Sequence, residues 1–136
     1  MPEEFRIGEL SRRSGRSVHT IRWYETQGLM PGVSRDRARR RVYVTDHVLW
    51  LELVDRLRLT GMTVAQIRAY ARIVRDGRAG RPQLREMLTS HATRTRQRIA
   101  QQREALGFIE RKIRFYDEWI GSGVRPPIPK LPKTRR

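Results

Sequence analysis

From Pro82 to Ile120 the chain contains no helix breaker except Gly107. An unbroken helix of roughly 38 residues would be about 57 Å long at about 1.5 Å per residue, longer than any small domain is thick. Along it Leu88, Ala92, Thr95, Ile99, Gln102, Leu106, Ile109, Ile113, Tyr116 and Ile120 follow at strictly alternating intervals of four and three. That is a heptad seam, and a seam of this length needs a second helix to cover it. A second copy of the chain supplies one, so the pattern predicts a homodimer held mainly by Leu88, Ile99, Leu106, Ile109, Ile113, Tyr116 and Ile120. Charges beside the seam choose the orientation. One flank carries Arg96, Arg103, Glu110 and Asp117, the other His91, Arg98, Ala105, Lys112 and Trp119. A parallel pair would set Arg98 against Arg103 of the other chain. An antiparallel pair sets Arg103 against Glu110 and Arg96 against Asp117, with the two-fold axis near residues 106 and 107. Exposed pairs are each worth only about 0.2 to 1 kcal/mol, so they select direction while the buried aliphatics supply affinity. Gly107 falls off the seam and receives no role in the dimer.

The remaining length allows one compact domain, since the whole chain has 136 residues. Its 30 basic side chains against 14 acidic ones give a formal charge of +16, and all the basic ones are arginine except Lys112, Lys130 and Lys133. Such a field draws in polyanions, and the guanidinium fork matches phosphate and guanine edges. Charge does not locate the site, because residues 1 to 81 and 82 to 136 each carry a net +8. There is no cysteine, which excludes disulfides, thiolate metal sites and thiol redox switches. No apolar run is long enough to span a membrane, and Glu3 and Glu4 stand where a signal peptide would be basic. The expected location is the cytoplasm, with no membrane partner.

Ile7 and Leu10 form one side of a short amphipathic helix that Gly15 stops. Ser17 then caps a second helix in which Val18, Ile21 and Tyr24 recur at helical spacing and which Gly28 ends. Residues 29 to 45 hold five arginines, Arg35, Arg37, Arg39, Arg40 and Arg41, followed by the β-prone Val42, Tyr43 and Val44, which reads as a hairpin. Asp46 is expected to cap a third helix through about Leu59, and Thr63 a fourth from about 64 to 75. Asp76, Gly77, Gly80 and Pro82 mark a linker over 77 to 81, and residues 121 to 136 read as a basic, proline-rich, disordered tail.

The run IGELSRRSGRSVHTIRWYETQGLMP, with the later LRLTGMTVAQI, resembles the MerR family of bacterial transcription regulators, in family order and spacing over residues 5 to about 75. The resemblance implies a mainly α fold: a winged helix-turn-helix DNA-binding domain over 1 to 76, followed by a long dimerisation helix over 82 to 120 in an antiparallel coiled coil. It also implies binding of double-stranded promoter DNA at a pseudo-palindrome, distortion of that DNA to repress or activate, and RNA polymerase as a partner. One departure stands out. Where family wings read Gly-Tyr-Arg-x-Tyr, this chain has Arg39, Arg40, Arg41, Val42 and Tyr43, so the tight turn of the wing is in question.

On this reading residues 18 to 27 form the recognition helix, with His19, Thr20 and Arg22 toward base edges in the major groove. Trp23 and Tyr24 are either core or donors to phosphate. Arg35, Arg37, Arg39, Arg40 and Arg41 line the wing with Tyr43, and Arg58 resembles a further phosphate contact beside the break at Gly61 to Thr63. A plainer reading leaves the arginines as solvated charge, but so tight a cluster repels itself unless a polyanion is near. Phe108, Phe115 and Trp119 form a second apolar stripe, either packing or, as in relatives, part of an effector pocket. His19, His47 and His91 match no metal spacing and no hydrolase or phosphate-loop motif occurs, so neither enzyme nor cofactor is expected. Two rivals to a promoter regulator are an architectural DNA- or RNA-binding protein without effector response and a coiled-coil adaptor.

Overall fold

The computed structural model describes residues 2–128. It divides at Thr95 into two units, with one helix running through the division. In the first unit, α1 (Ile7–Ser14) buries Leu10, and its end is set by Gly15 in the left-handed region (φ 71°), whose N–H bonds the Ser11 carbonyl at 3.0 Å. The turn delivers Ser17 to the start of α2 (Val18–Thr26), where its Oγ accepts the Thr20 N–H at 3.0 Å. Ile21 and Tyr24 form the buried face of α2.

Two short strands, β1 (Ser34–Arg35) and β2 (Arg41–Val42), pair antiparallel with Ser34 opposite Val42. A bridge from Phe5 to Tyr43 anchors the hairpin to the N-terminal segment. Next, α3 (Thr45–Leu59) turns Trp50, Leu51, Val54 and Leu57 inward, and α4 (Val64–Val74) turns Ile67, Tyr70 and Ala71 against them. Leu10, Ile21, Leu29, Tyr43, Leu51, Val54 and Ile67 are the largest of the fully buried side chains, and the aliphatic ones each contribute about 1.5–3 kcal/mol through their apolar surface. Trp50 stacks on Tyr70 with centroids 5.7 Å apart and donates to the Leu29 carbonyl at 2.6 Å, which ties the exit of α2 to α3.

Three features differ from expectation. Asp46 does not cap α3: the cap position is Val44, whose N–H is taken by the His47 imidazole at 3.0 Å, and Asp46 lies in the first turn, where a negative charge still suits the helix dipole. Thr63 does cap α4, reciprocally with Gln66. The segment expected to be a linker is a single 3-10 turn, Gly77–Gly80, leading straight into α5 (Arg81–Ser122). Gly80 is required there, because a Cβ would sit 2.6 Å from the Ile73 carbonyl oxygen. Leu88, expected at the dimer seam, packs with Leu84 and Met87 against the core of the first unit. The first turns of α5 thus complete that core, and His91, also buried, bonds Thr60 at 2.6 Å.

In the second unit α5 exposes Ile99, Leu106, Phe108, Ile109, Ile113, Tyr116 and Ile120. Gly123, at φ 72°, ends the helix with its N–H on the Trp119 carbonyl at 2.8 Å. The chain then brings Pro126 and Pro127 beside Phe115, which is buried. The segment 121 to 128 is therefore ordered in part, and the rest of the expected tail, 129 to 136, lies outside the described residues.

Candidate nucleic-acid interface

The amino end of α2 presents His19 and Arg22 to solvent, with Trp23 beside them at 40% exposure. Thr20 is half-buried, and its Oγ1 accepts from Ser17 Oγ at 2.8 Å, so it serves the helix cap as well as the outer face. Tyr24 and Tyr43, counted among the DNA-contacting residues by sequence, are both buried. Tyr24 faces inward because it is one helical turn from Ile21. Tyr43 follows Val42 into the core at the Phe5 bridge.

Tyr43 instead organises the site. Its hydroxyl donates to the Glu25 carboxylate, and Arg41 Nε binds the other carboxylate oxygen at 2.6 Å. Glu25, with 11% of its side chain exposed, thereby locks the wing strand β2 to the recognition helix α2. Burial, and then the hydrogen bond to Glu25, push the Tyr43 phenol well above its usual range, so it remains a donor at neutral pH. Arg41 reaches Glu25 through Nε, and its side chain is about half exposed.

The wing turn is built by Asp36. Its backbone pairs with Arg40 (N to O, 2.9 Å) and its carbonyl accepts from Arg39 N at 2.9 Å. Its carboxylate accepts Arg40 N at 2.9 Å and Arg6 Nη2 at 2.6 Å. These bonds, the Arg40 amide first, hold the Asp36 carboxyl down at about 2. Arg39 takes the left-handed backbone (φ 62°) that the family glycine would occupy freely. The turn therefore forms without that glycine, with Asp36 binding its two ends.

The arginines of α1, α2 and the wing, with Arg6, Arg16 and Arg58, separate into two sets. Arg6, Arg12, Arg13, Arg16, Arg40 and Arg41 each pair with a carboxylate. Arg22, Arg35, Arg37, Arg39 and Arg58 are exposed and have no carboxylate partner among the described residues. Arg35 is oriented by a bond from Nη1 to the Arg39 carbonyl at 2.7 Å. These five lie on α2, the wing and the end of α3, the elements singled out by sequence, and further arginines without a carboxylate partner among the described residues follow on α4 and α5.

A family model described as MerR HTH family regulatory protein matches residues 5–72. The chain belongs to the MerR family. An HTH-type transcriptional regulator of Haemophilus influenzae is 26% identical over 132 residues, spanning 96% of this chain and 98% of its own length. The HTH-type transcriptional regulator HmrR of Sinorhizobium medicae is 31% identical, covering 90% of this chain and 81% of its own. Among solved structures, HiNmlR, a MerR family regulator lacking the sensor domain and bound to promoter DNA, superposes with a TM-score of 0.75 at 25% identity, over 89% of this chain and 96% of that one. A MerR family regulator from Listeria monocytogenes gives 0.77 at 28% identity, over 88% and 90%. This MerR-family chain is accordingly a mainly helical DNA-binding transcriptional regulator with an N-terminal helix-turn-helix, a short wing and a long C-terminal helix. No described helix is long and apolar enough to cross a membrane, and no described cluster of three or more acidic or histidine side chains could hold a metal ion.

Sequence reasoning missed Glu25, Asp36 and Arg6, which carry no base-reading chemistry and act by holding the wing. Their partners lie 30 residues away for Arg6 and Asp36, and 18 for Tyr43 and Glu25, a separation no local spacing rule addresses. Of the three residues expected at an effector pocket, Phe115 and Trp119 meet edge to face at 5.9 Å, and the Arg111 guanidinium lies over the Phe108 ring. A small hollow of about 350 Å³ adjoins Phe115 with Arg111, Arg114, Glu118, Pro126 and Pro127.

Proposed function

We propose that the protein binds a pseudo-palindromic promoter site as an antiparallel homodimer and distorts it, changing how RNA polymerase uses the promoter. The observation that carries this reading is the unpaired arginine set on α2 and the wing, held in place by Glu25 and Asp36. His19, Thr20 and Arg22 read bases from α2. Arg35, Arg37, Arg39 and Arg41 take phosphates from the wing, and Arg58 takes another beside the α3–α4 break. Solvent-facing Ile99, Leu106, Ile109, Ile113, Tyr116 and Ile120, half or more exposed in most cases, supply the seam between the two copies. Distortion is the indirect part of the readout, at a cost of about 1 to 6 kcal/mol.

With no cysteine in the sequence, any signal reaches the protein without thiolate chemistry. An organic ligand near Phe108, Phe115 and Trp119 of the dimer, or no ligand at all, fits the residues present.

Selection of bound fragments from random duplex DNA tests the reading. A two-fold symmetric consensus is expected, with Arg22→Ala costing about 1 to 3 kcal/mol and relaxing the preference at one position in each half-site. A flat profile would favour an architectural nucleic-acid binder, and no affinity for any duplex an adaptor.

A further inference from the structure

Five arginines follow one another at intervals of three and four where α4 passes into α5: Arg72, Arg75, Arg78, Arg81 and Arg85. All five are exposed. None of their guanidinium groups has an ion-pair or hydrogen-bond partner among the described residues, although Asp76 and Glu86 stand within the same stretch. The carboxylates of this unit do neutralise arginines elsewhere, at α1, at the wing base and between α2 and β2. Cations left so close together without counter-charge repel one another and gather counterions, and a polyanion that displaces those ions gains free energy from their release.

The stretch is joined to the wing. Arg75 lines a hollow of about 420 Å³ together with Arg35 and Arg41 of the hairpin and Glu25 and Thr26 of α2. Glu25 is the one carboxylate there, and it is already engaged by Arg41 and Tyr43. Arg75 at the end of α4, Arg35 of β1 and Arg41 of β2 therefore border one open space large enough for a phosphodiester. The backbone that presents the stretch is held in place: Gly80 packs directly on Ile73, and Arg81 begins α5 with no intervening loop. Ordered presentation lowers the entropic cost of each contact.

We propose that Arg72, Arg75, Arg78, Arg81 and Arg85 form a phosphate-binding surface, continuous with the wing through Arg75, that grips the DNA backbone flanking the operator core. The inference rests on the DNA-binding reading above and adds to it a footprint longer than α2 and the hairpin define. The contacts carry no base information. They raise affinity for the flanks whatever their sequence and steepen the dependence on salt.

The test uses the full chain and two duplexes: the consensus recovered by selection, trimmed to its conserved core, and the same core extended by about ten base pairs, one helical turn, on each side. Affinities are measured across a salt series for the wild type, for an Arg72→Gln, Arg75→Gln, Arg78→Gln triple variant, and for the corresponding triple lysine variant. On the long duplex the glutamine variant should lose about one unit of salt slope per arginine, which over a fourfold change in salt is roughly forty-fold in affinity. On the short duplex it should match the wild type. The lysine variant should retain the wild-type slope on both, because the charge is kept. Equal slopes for wild type and glutamine variant on the long duplex would overturn the proposal, leaving an acidic protein as the better occupant of this surface. An equal loss on both duplexes would overturn the assignment to the flanks. Wild-type protein that binds neither duplex would sink the DNA-binding reading and this inference together, which separates the two failures.

Discussion

Replacing Tyr43 with Phe removes one oxygen from a completely buried position and leaves the ring that fills it. The lost hydroxyl is a donor to Glu25, whose side chain is only 11% exposed, so little water can replace it. A hydrogen bond to a charged group contributes about 1.5 to 3 kcal/mol. The lower part of that range applies, since Arg41 stays on the other carboxylate oxygen and continues to offset the charge. For a DNA-binding unit of this size a loss of about 1.5 to 2 kcal/mol lowers the melting temperature by about 6 to 15 °C. The assay is thermal or urea unfolding of both proteins at one fixed concentration, because association shifts apparent stability. A second signature lies in the pH dependence. Folding raises the phenol pKa, so Tyr43 contributes fully below its unfolded value near ~10, and the contribution is lost as pH rises above that toward the folded value. The gap between wild type and variant should therefore be constant around neutrality and narrow above about pH 10. Coincident unfolding curves at neutral pH would refute the role given to Tyr43 and, with it, the claim that Glu25 locks the wing to the recognition helix.

The wing offers a check at the other end of the pH scale: Asp36, held at about 2, supports the turn above its unfolded pKa near ~3.9 and loses that support as pH falls through its folded value. Amide exchange at the wing should accelerate between about pH 4 and 2 in the wild type, whereas Asp36→Asn should show loosened exchange already at neutral pH. Arg39→Gly relieves the left-handed backbone at φ 62° and should leave stability unchanged or raised by up to about 1 kcal/mol while removing about one unit of salt slope in DNA binding. An unchanged slope would show that Arg39 faces solvent without phosphate. In the dimer, Arg103→Glu should weaken association as followed by sedimentation, and adding Glu110→Arg should restore it; without rescue, the antiparallel pairing is wrong.

Much of the interface could be read along the chain because its signals are local. Ser17 before an apolar helical run, Gly15 and Gly28 at the stops, and Thr63 at the start of α4 are each settled within one turn of backbone, and the structure keeps all of them. Arginine density marked the wing for the same reason. Spacing alone leaves Tyr24 either core or phosphate donor, and Tyr43 joins the DNA-contacting set only through the family resemblance; the turn of α2 and the Phe5 to Tyr43 bridge decide that both face inward. Leu88 fits the heptad as well as Ile99 does, yet it belongs to the first unit, because periodicity records which face is apolar and not which neighbour covers it.

The sequence by itself determined the elements, their order, the basic character of α2 and the wing and the absence of thiol chemistry, since each follows from composition or from spacing within a few residues. Tertiary structure alone decided which arginines are free. Arg41 is held by a glutamate sixteen positions earlier, and Arg6 by an aspartate in the wing. Arg75 shares a hollow with Arg35 and Arg41 through the fold and not through any motif. Whether a charge is paired depends on distances of about 4 Å between side chains far apart in the chain. That information exists only once the core has closed and brought α2, the wing and α4 to one face.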